Sequence, residues 1–244
     1  MVEVDVLIVG AGISGICAAH ALGAACPELR YTIVEARDRL GGTWDLFRYP
    51  GIRSDSDMYT LGYSFRPWRD PKAIADGPSI LAYLDETARE TGIADHIRYD
   101  RRVESVAWSS VDGRWTVTTR RSTGETETLR CWFLWVCAGY FRYDRGHTPD
   151  IPGLASFGGR VVHPQHWPQD LEVAGKRVVL IGSGATAVTL APELAKAGAA
   201  VTVVQRSPTY VVQRPSQDAF KLGNPDEFGP GHRLPPSALS TLAT

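Results

Sequence analysis

The apolar positions of the chain form one arrangement that occurs twice. Residues 4–9 are a short β-branched run, residues 16–25 are rich in alanine and read as a helix, and residues 31–34 are a second short strand. Far downstream, residues 177–181, 188–197 and 200–204 repeat strand, helix, strand. Between the copies, Ile80, Leu81, Leu84 and Ala88 fall at helical spacing within residues 78–91, and Gly92 closes that helix. Strands are expected at 97–106, 115–120 and 126–134, with Asp112-Gly113 turning the first into the second as a small antiparallel meander. Residues 133–140 read as a buried parallel strand ending in a small-residue turn, which puts a domain boundary near 140.

Each repeat carries a glycine-rich turn between its first strand and its helix. The first is Gly10-Ala11-Gly12-Ile13-Ser14-Gly15. Gly10 permits the turn, Gly12 lets the backbone approach a diphosphate, Gly15 lets the helix pack on the strand, and the helix N-terminus faces the phosphates. The second strand ends at Glu35, where a carboxylate can accept both hydroxyls of an adenosine ribose and repels a ribose phosphate. This unit should therefore prefer FAD or NAD to NADP. The second turn is Gly182-Ser183-Gly184-Ala185-Thr186-Ala187, leading into Val188, with Ala187 where the last glycine would stand. Its following strand ends in Gln205-Arg206-Ser207, a guanidinium and a hydroxyl suited to a 2′-phosphate, so NADPH is preferred to NADH. Two sites of opposite ribose chemistry imply hydride transfer from NADPH to a flavin. The fold class is α/β, with two Rossmann-like dinucleotide-binding units and the small meander.

Two further stretches carry chemistry. Residues 41–55 hold adjacent glycines, which let the main chain lie against a ligand. Here Trp44 and Tyr49 offer flat apolar faces suited to an isoalloxazine or nicotinamide ring, and the stretch reads as loop, not helix. Asp57, just beyond it, reads as a solvated turn or helix-cap carboxylate. The other stretch, Phe157-Gly158-Gly159-Arg160-Val161-Val162-His163-Pro164-Gln165-His166-Trp167-Pro168, joins the two units. It is too irregular for a helix and too rich in proline for a central strand. His163 is either a hydrogen-bonded structural residue or an orienting one that, with Trp167, bonds and packs differently as the second domain swings. His166 has no motif support, and no further ligands stand nearby for a metal.

These stretches resemble the signatures of flavoprotein Baeyer–Villiger monooxygenases, F-x-G-x-x-x-H-x-x-x-W-P at 157–168 and G-G-x-W-x-x-x-x-Y-P-G-x-x-x-D at 41–55. Residues 41–69 and 162–210 look most like the ethionamide-activating, mycobacterial type. The resemblance implies that Gly42, Thr43, Trp44, Asp45 and Leu46 line the flavin. It also implies that Arg53, Ser54 and Asp55 meet flavin and nicotinamide nucleotide, that Val103 contacts adenine through its backbone, and that Asp55, His163 and Trp167 are the catalytic set. The implied reaction is reduction of FAD by NADPH, then insertion of one atom of O2 into a ketone, or oxygenation of a sulfur compound, through a flavin peroxide. Flavin-containing or N-hydroxylating monooxygenases have a related crossing and remain the alternative. A disulfide reductase would need a redox cysteine pair after its first nucleotide motif, which Cys17 and Cys26 do not supply.

The expected organisation is an FAD-binding domain at 1–140, the connection at 141–176, the start of an NADPH-binding domain at 177–210 and an irregular tail at 211–244. Relative to the family, the returning strands of the FAD sheet and the arginine that pairs with the flavin peroxide are missing, and Arg53 is a weak stand-in. A second alternative is therefore a truncated, inactive fragment of such an enzyme that binds nucleotide only partially. Composition narrows the partners. The 244 residues are 43% hydrophobic with a formal net charge of −1, enough for a core and without a basic face for nucleic acid. The tryptophans at 108, 115, 132 and 135 then read as packing residues, not a base-stacking platform. The four cysteines include no Cys-x-x-Cys pair, and Cys17 and Cys137 sit in apolar runs as buried, reduced thiols. An acidic N-terminus and the lack of a long apolar run predict a cytoplasmic chain with no membrane span.

Overall fold

The structure, a computed structural model, describes Val2–Val212, so the expected tail beyond 212 lies outside the described residues. The described chain separates into two units, residues 2–53 with 76–209 and residues 54–75 with 210–212. In chain order the larger unit holds β1 (Val2–Val9), α1 (Ile13–Ala25), β2 (Tyr31–Val34) and α2 (Thr43–Leu46). The smaller unit contributes α3 (Met58–Leu61). The larger continues with α4 (Gly77–Glu90), β3 (Ile97–Arg98), β4 (Arg102–Ser109), β5 (Arg114–Arg120) and β6 (Thr126–Val136), then β7 (Arg177–Ile181), α5 (Ala185–Lys196) and β8 (Ala200–Val204).

A six-stranded sheet runs in the order β3-β2-β1-β6-β5-β4, and a two-stranded parallel sheet pairs β7 with β8. The two expected runs at 126–134 and 133–140 are one strand, β6. Its first half is antiparallel to β5, while from Leu129 onward it is parallel to β1, with Val6 opposite Phe133 and Val9 opposite Val136. The meander and the parallel strands thus form one sheet. The expectation of a buried run at 133–136 does not hold: Phe133 and Val136, which point to opposite faces of β6, are 57% and 65% exposed, because the described elements leave both faces of that end of the strand uncovered. Trp132 and Trp108 are exposed as well, so only Trp115 among the four tryptophans packs against the apolar cluster of Leu7, Val117 and Leu129. Trp132 instead lies under the Arg114 guanidinium, 4.9 Å from ring centre to charge.

Several boundaries move for local reasons. The strand expected over 97–106 breaks at Asp100, whose φ of +54° turns the chain out of β3 before it enters β4 at the other edge of the sheet. Asp100 holds that turn by accepting bonds from the Ser122 main-chain N–H and hydroxyl. The stretch 41–55 is not all loop. Positive φ at Gly41 and Gly42 swings the chain so that the Leu46 N–H reaches the Gly42 carbonyl at 2.9 Å, closing the single turn of α2. Helices α1 and α5 each start earlier than expected, because Gly12 and Gly184 are already their N-caps. Cys17 is exposed, contrary to expectation, since it falls on the outer side of α1; all four cysteines are free thiols.

In the smaller unit, the Ser54 N–H donates to the Ala75 carbonyl and the Met58 N–H to the Ala73 carbonyl, closing residues 54–75 into a loop. Asp57 caps α3 by accepting from the Thr60 N–H at 2.9 Å, the helix-cap role expected of it.

Where main chain meets main chain, no side chain fits. A Cβ on Gly15 would stand 1.9 Å from the Gly10 carbonyl oxygen, whereas one on Gly23, on the open side of the same helix, would meet nothing within 4 Å. Gly15→Ala should therefore destabilise the chain by about 2–3 kcal/mol, while Gly23→Ala should stabilise it by about 0.5–1 kcal/mol. Urea denaturation of the two variants checks this contrast in sign.

Candidate functional site

The first glycine turn is built by the ends of three strands. The Gly10 N–H donates to the Val34 carbonyl at 2.8 Å and the Cys137 N–H to the Val9 carbonyl at 2.8 Å, so β1, β2 and β6 end side by side. Gly10 has φ +105°, and a Cβ there would lie 2.5 Å from the Cys137 carbonyl oxygen. Helix α1 then begins at Gly12 with Ser14 exposed and Gly15 buried in its first turn, without a capping side chain or an acid there. Its positive end is uncompensated from within the helix, as an anion site requires. Glu35 stands beside it, 5% exposed. The carboxylate accepts from the Ala11 N–H at 2.8 Å and from the Arg37 N–H at 3.0 Å. Each oxygen keeps a lone pair for a ligand hydroxyl.

Gly42 faces this turn: a Cβ on it would be 3.2 Å from the Gly12 Cα, and one on Gly12 would be 3.6 Å from the Gly42 Cα. The seam between them is a cradle that any side chain would fill. Asp45 of α2 is fully buried, its carboxylate ion-paired with Arg37 and with Arg48 and 4.0 Å from Arg39. Thr43, Trp44 and Leu46 are half-buried around it. Tyr49 is not an open stacking face: it is buried edge-on to Phe47 and packs with Leu190 and Leu194 of α5. Trp167 of the crossing packs on the same cluster. Arg53 is exposed and bridges main chain with Asp76. Ser54, buried, and Asp55, exposed, belong to the smaller unit. Val103 lies at a register shift where Glu104 stands opposite no residue of β5 in the ladder.

Around the second turn, Gly182 has φ +119° and Gly184 caps α5, again without an acid in the first turn. Ala185, Thr186, Ala187 and Val188 form that first turn. The Ser183 hydroxyl donates to the Ser207 carbonyl at 3.1 Å and accepts from Thr209 at 2.8 Å. Gly182, Ser183, Gln205, Arg206 and Ser207 line one cleft of about 640 Å³, so the glycine turn and the expected phosphate-binding pair come together.

Three residues outside every sequence pattern join the first site to the crossing. Tyr143 reaches the seam, its hydroxyl 3.3 Å from where a Gly42 Cβ would stand. Burial pushes its phenol up in pKa, while a bond from Thr43 pulls it down. Gln165, 5% exposed, donates its side-chain amide to the Arg142 carbonyl. Gly146 lies against the His163 ring. Gln165 occupies an unspecified position of the motif, and a lone tyrosine or glycine gives no periodic signal, so sequence reasoning had nothing to find them by.

His163 accepts from the Gln165 N–H through Nδ1 at 3.2 Å, a bond only the unprotonated nitrogen can accept. Burial first, then the charges of His166 and His147, hold its pKa below the ordinary 6.5. Its contribution to stability is complete above the unfolded value and is lost as pH falls through the folded one. His163→Gln should therefore flatten the loss of stability between about pH 7.5 and about pH 5.5, read as the shift in urea midpoint between those two conditions.

Comparison with known proteins places this geometry. A family profile described as flavin-binding monooxygenase-like matches residues 3–224. The FAD-containing monooxygenase EthA of Mycolicibacterium smegmatis is 56% identical over 215 residues, covering 88% of this chain and 44% of that protein. Among solved structures, an oxidized steroid monooxygenase bound to NADP aligns with TM-score 0.76 at 34% identity, over 90% of this chain and 42% of its own. OTEMO in complex with FAD and NADP aligns with TM-score 0.72 at 33% identity, over 84% and 39%. The chain thus spans less than half the length of these relatives. With the profile running through both glycine turns and the crossing between them, the chain belongs to the flavin-binding monooxygenase-like family.

Proposed function

We propose that residues 1–140 bind FAD, that 177–210 begin an NADPH-binding domain joined to it through 141–176, and that the protein is a monooxygenase of Baeyer–Villiger type. The observation that carries this reading is the pairing of two glycine-capped helix N-termini, each without a capping side chain, with opposite neighbours, Glu35 at the first and Arg206 with Ser207 at the second. The residues fit FAD at the first turn, where the Gly12–Gly42 seam keeps the main chain bare of side chains and the buried Glu35 retains acceptor capacity. They fit NADPH at the second, where Arg206 is exposed in the cleft. Support also comes from the related proteins that carry FAD in their names or were solved with FAD and NADP.

The chain's own groups then have definite tasks. The N–H groups at the start of α1, next to Gly10, Gly12, Ser14 and Gly15, receive the diphosphate, and Glu35 accepts the ribose hydroxyls. Gly42 to Leu46 shape the wall along the flavin, with Asp45 neutralised by its arginines so that no bare carboxylate faces it. The turn from Gly182 to Val188 receives the second diphosphate, and Arg206 and Ser207 select the 2′-phosphate. Bound FAD supplies the redox and oxygen chemistry, and NADPH supplies the hydride. His163 and Trp167 orient the crossing, Trp167 by packing on the cluster that holds Phe47 to α5. Arg53, Ser54 and Asp55 meet flavin and nicotinamide nucleotide, and the Val103 main chain meets adenine. The substrate is a small ketone or sulfur compound, with O2 as co-substrate.

Two experiments test this. Arg206→Ala should weaken NADPH binding about tenfold to hundredfold while leaving NADH binding nearly unchanged; equal loss of both would remove the 2′-phosphate reading. Supplied with FAD, NADPH and heavy-isotope O2, the protein should turn a cyclic ketone into an ester carrying one labelled oxygen. A labelled hydroxylamine from a primary amine, with the ketone untouched, would instead point to N-hydroxylation, and no labelled product at all would leave nucleotide binding as the whole function of this chain.

A further inference from the structure

Tyr143 connects two parts of the larger unit that no motif connects. At one end its hydroxyl shares the seam of the first nucleotide turn: a Gly42 Cβ would lie 3.3 Å from that oxygen and 3.2 Å from the Gly12 Cα. Its ring lies under Arg37, whose guanidinium carbon is 5.9 Å from the ring centre. The same guanidinium donates to the Gly42 carbonyl at 3.3 Å and ion-pairs with the buried Asp45. A tyrosine so placed presents one polar atom at the edge of the Gly12–Gly42 contact, beside the glycine turn that would face a dinucleotide.

At the other end the crossing pins the residues on both sides of Tyr143. The buried Gln165 amide donates to the carbonyl of Arg142, its immediate neighbour. Three residues on, the His163 imidazole lies flat on Gly146, where a Cβ would be 2.2–2.4 Å from three ring atoms. His163 and Gln165 are themselves joined, ring nitrogen to main-chain N–H. The crossing therefore grips residues 142–146 at two points, and Tyr143 projects from the gripped segment into the seam. Trp167, two residues past Gln165, packs on the cluster that Phe47 and Tyr49 form with Leu190 and Leu194 of α5, so the grip leads on to the helix of the second glycine turn.

We propose that Tyr143 is a positioning residue for the dinucleotide at the first glycine turn, and that Gln165 of the crossing acts on that site through it. The inference rests on the first turn being the FAD site, as proposed above. A displacement of the crossing, such as one that follows movement at the second turn, is transmitted to the Gly12–Gly42 seam by the tyrosine and loosens or tightens the dinucleotide there.

The test uses the full chain and its variants Tyr143→Phe, Gln165→Met and the double variant, with FAD as probe. Phe keeps the ring under Arg37 and loses only the hydroxyl; Met keeps the buried volume of Gln165 and loses only the donor. Flavin fluorescence titration should show each single variant binding FAD about tenfold more weakly, the equivalent of one hydrogen bond. The double variant should be no worse than Tyr143→Phe, because Gln165 has no route to FAD once the hydroxyl is gone. Hydrogen exchange of the unliganded chain should rise in Gln165→Met at residues 41–46 as well as at 140–146. Unchanged FAD affinity in Tyr143→Phe, additive losses in the double variant, or a rise in exchange confined to 140–146 would each overturn the proposal. If the wild-type chain itself binds no FAD, the FAD reading of the first turn falls and the ligand role of Tyr143 falls with it. The exchange result then separately decides whether the crossing reaches the seam.

Discussion

Everything in the larger unit depends on main chain lying directly on main chain at Gly10. Its φ of +105°, the Cys137 carbonyl against it on one side and Gly15 on the other leave no volume for a side chain at either glycine. That contact sets how close α1 lies to the sheet, brings the ends of β1, β2 and β6 level, and aims the α1 N-terminus over them. The nucleotide site is thus a consequence of sheet packing. Because backbone N–H groups supply the anion site, Glu35 can spend its buried charge on the glycine turn and still offer lone pairs outward.

The second organising contact is the apolar cluster of Phe47, Tyr49, Leu190 and Leu194, with Trp167 against it. It joins the turn that shapes the first site to the helix that follows the second glycine turn. Aromatic residues that look exposed and ligand-facing in the sequence are used here as structural cement, Tyr49 above all. Asp45 shows the same economy in charge: fully buried, it is tolerable only because Arg37 and Arg48 neutralise it, and those arginines thereby fix the shape of the seam. Away from these packed faces, the end of β6 and one side of the β7–β8 sheet are uncovered among the described residues, with Val136 65% and Ile181 62% exposed. Strands of a parallel sheet are ordinarily covered on both faces.

Local chemistry was legible in the sequence, and long-range pairing was not. The two glycine turns, the cap role of Asp57 and the hairpin at Asp112-Gly113 all follow from what one residue can do to its own backbone, and the structure has each of them. Residues 126–136 failed as two separate strands because alternation does not say which neighbour a strand will take; β6 takes β5 along its first half and β1 from Leu129 to its end. The run at 97–106 failed at Asp100, where a single left-handed residue interrupts an otherwise regular pattern. At the site, Glu35 was found from spacing, whereas Tyr143 and Gln165 matter only through what the fold puts beside them.

The measurement that bears most directly on the central claim is the absorption spectrum of the purified chain after addition of FAD and removal of the free cofactor, recorded without oxygen before and after NADPH. A retained flavin band that NADPH bleaches, and that returns on admitting air, is the predicted result: both glycine turns hold their nucleotides and pass a hydride between them. A chain that is folded by circular dichroism, retains no flavin at saturating FAD and shows no bleaching would contradict the account.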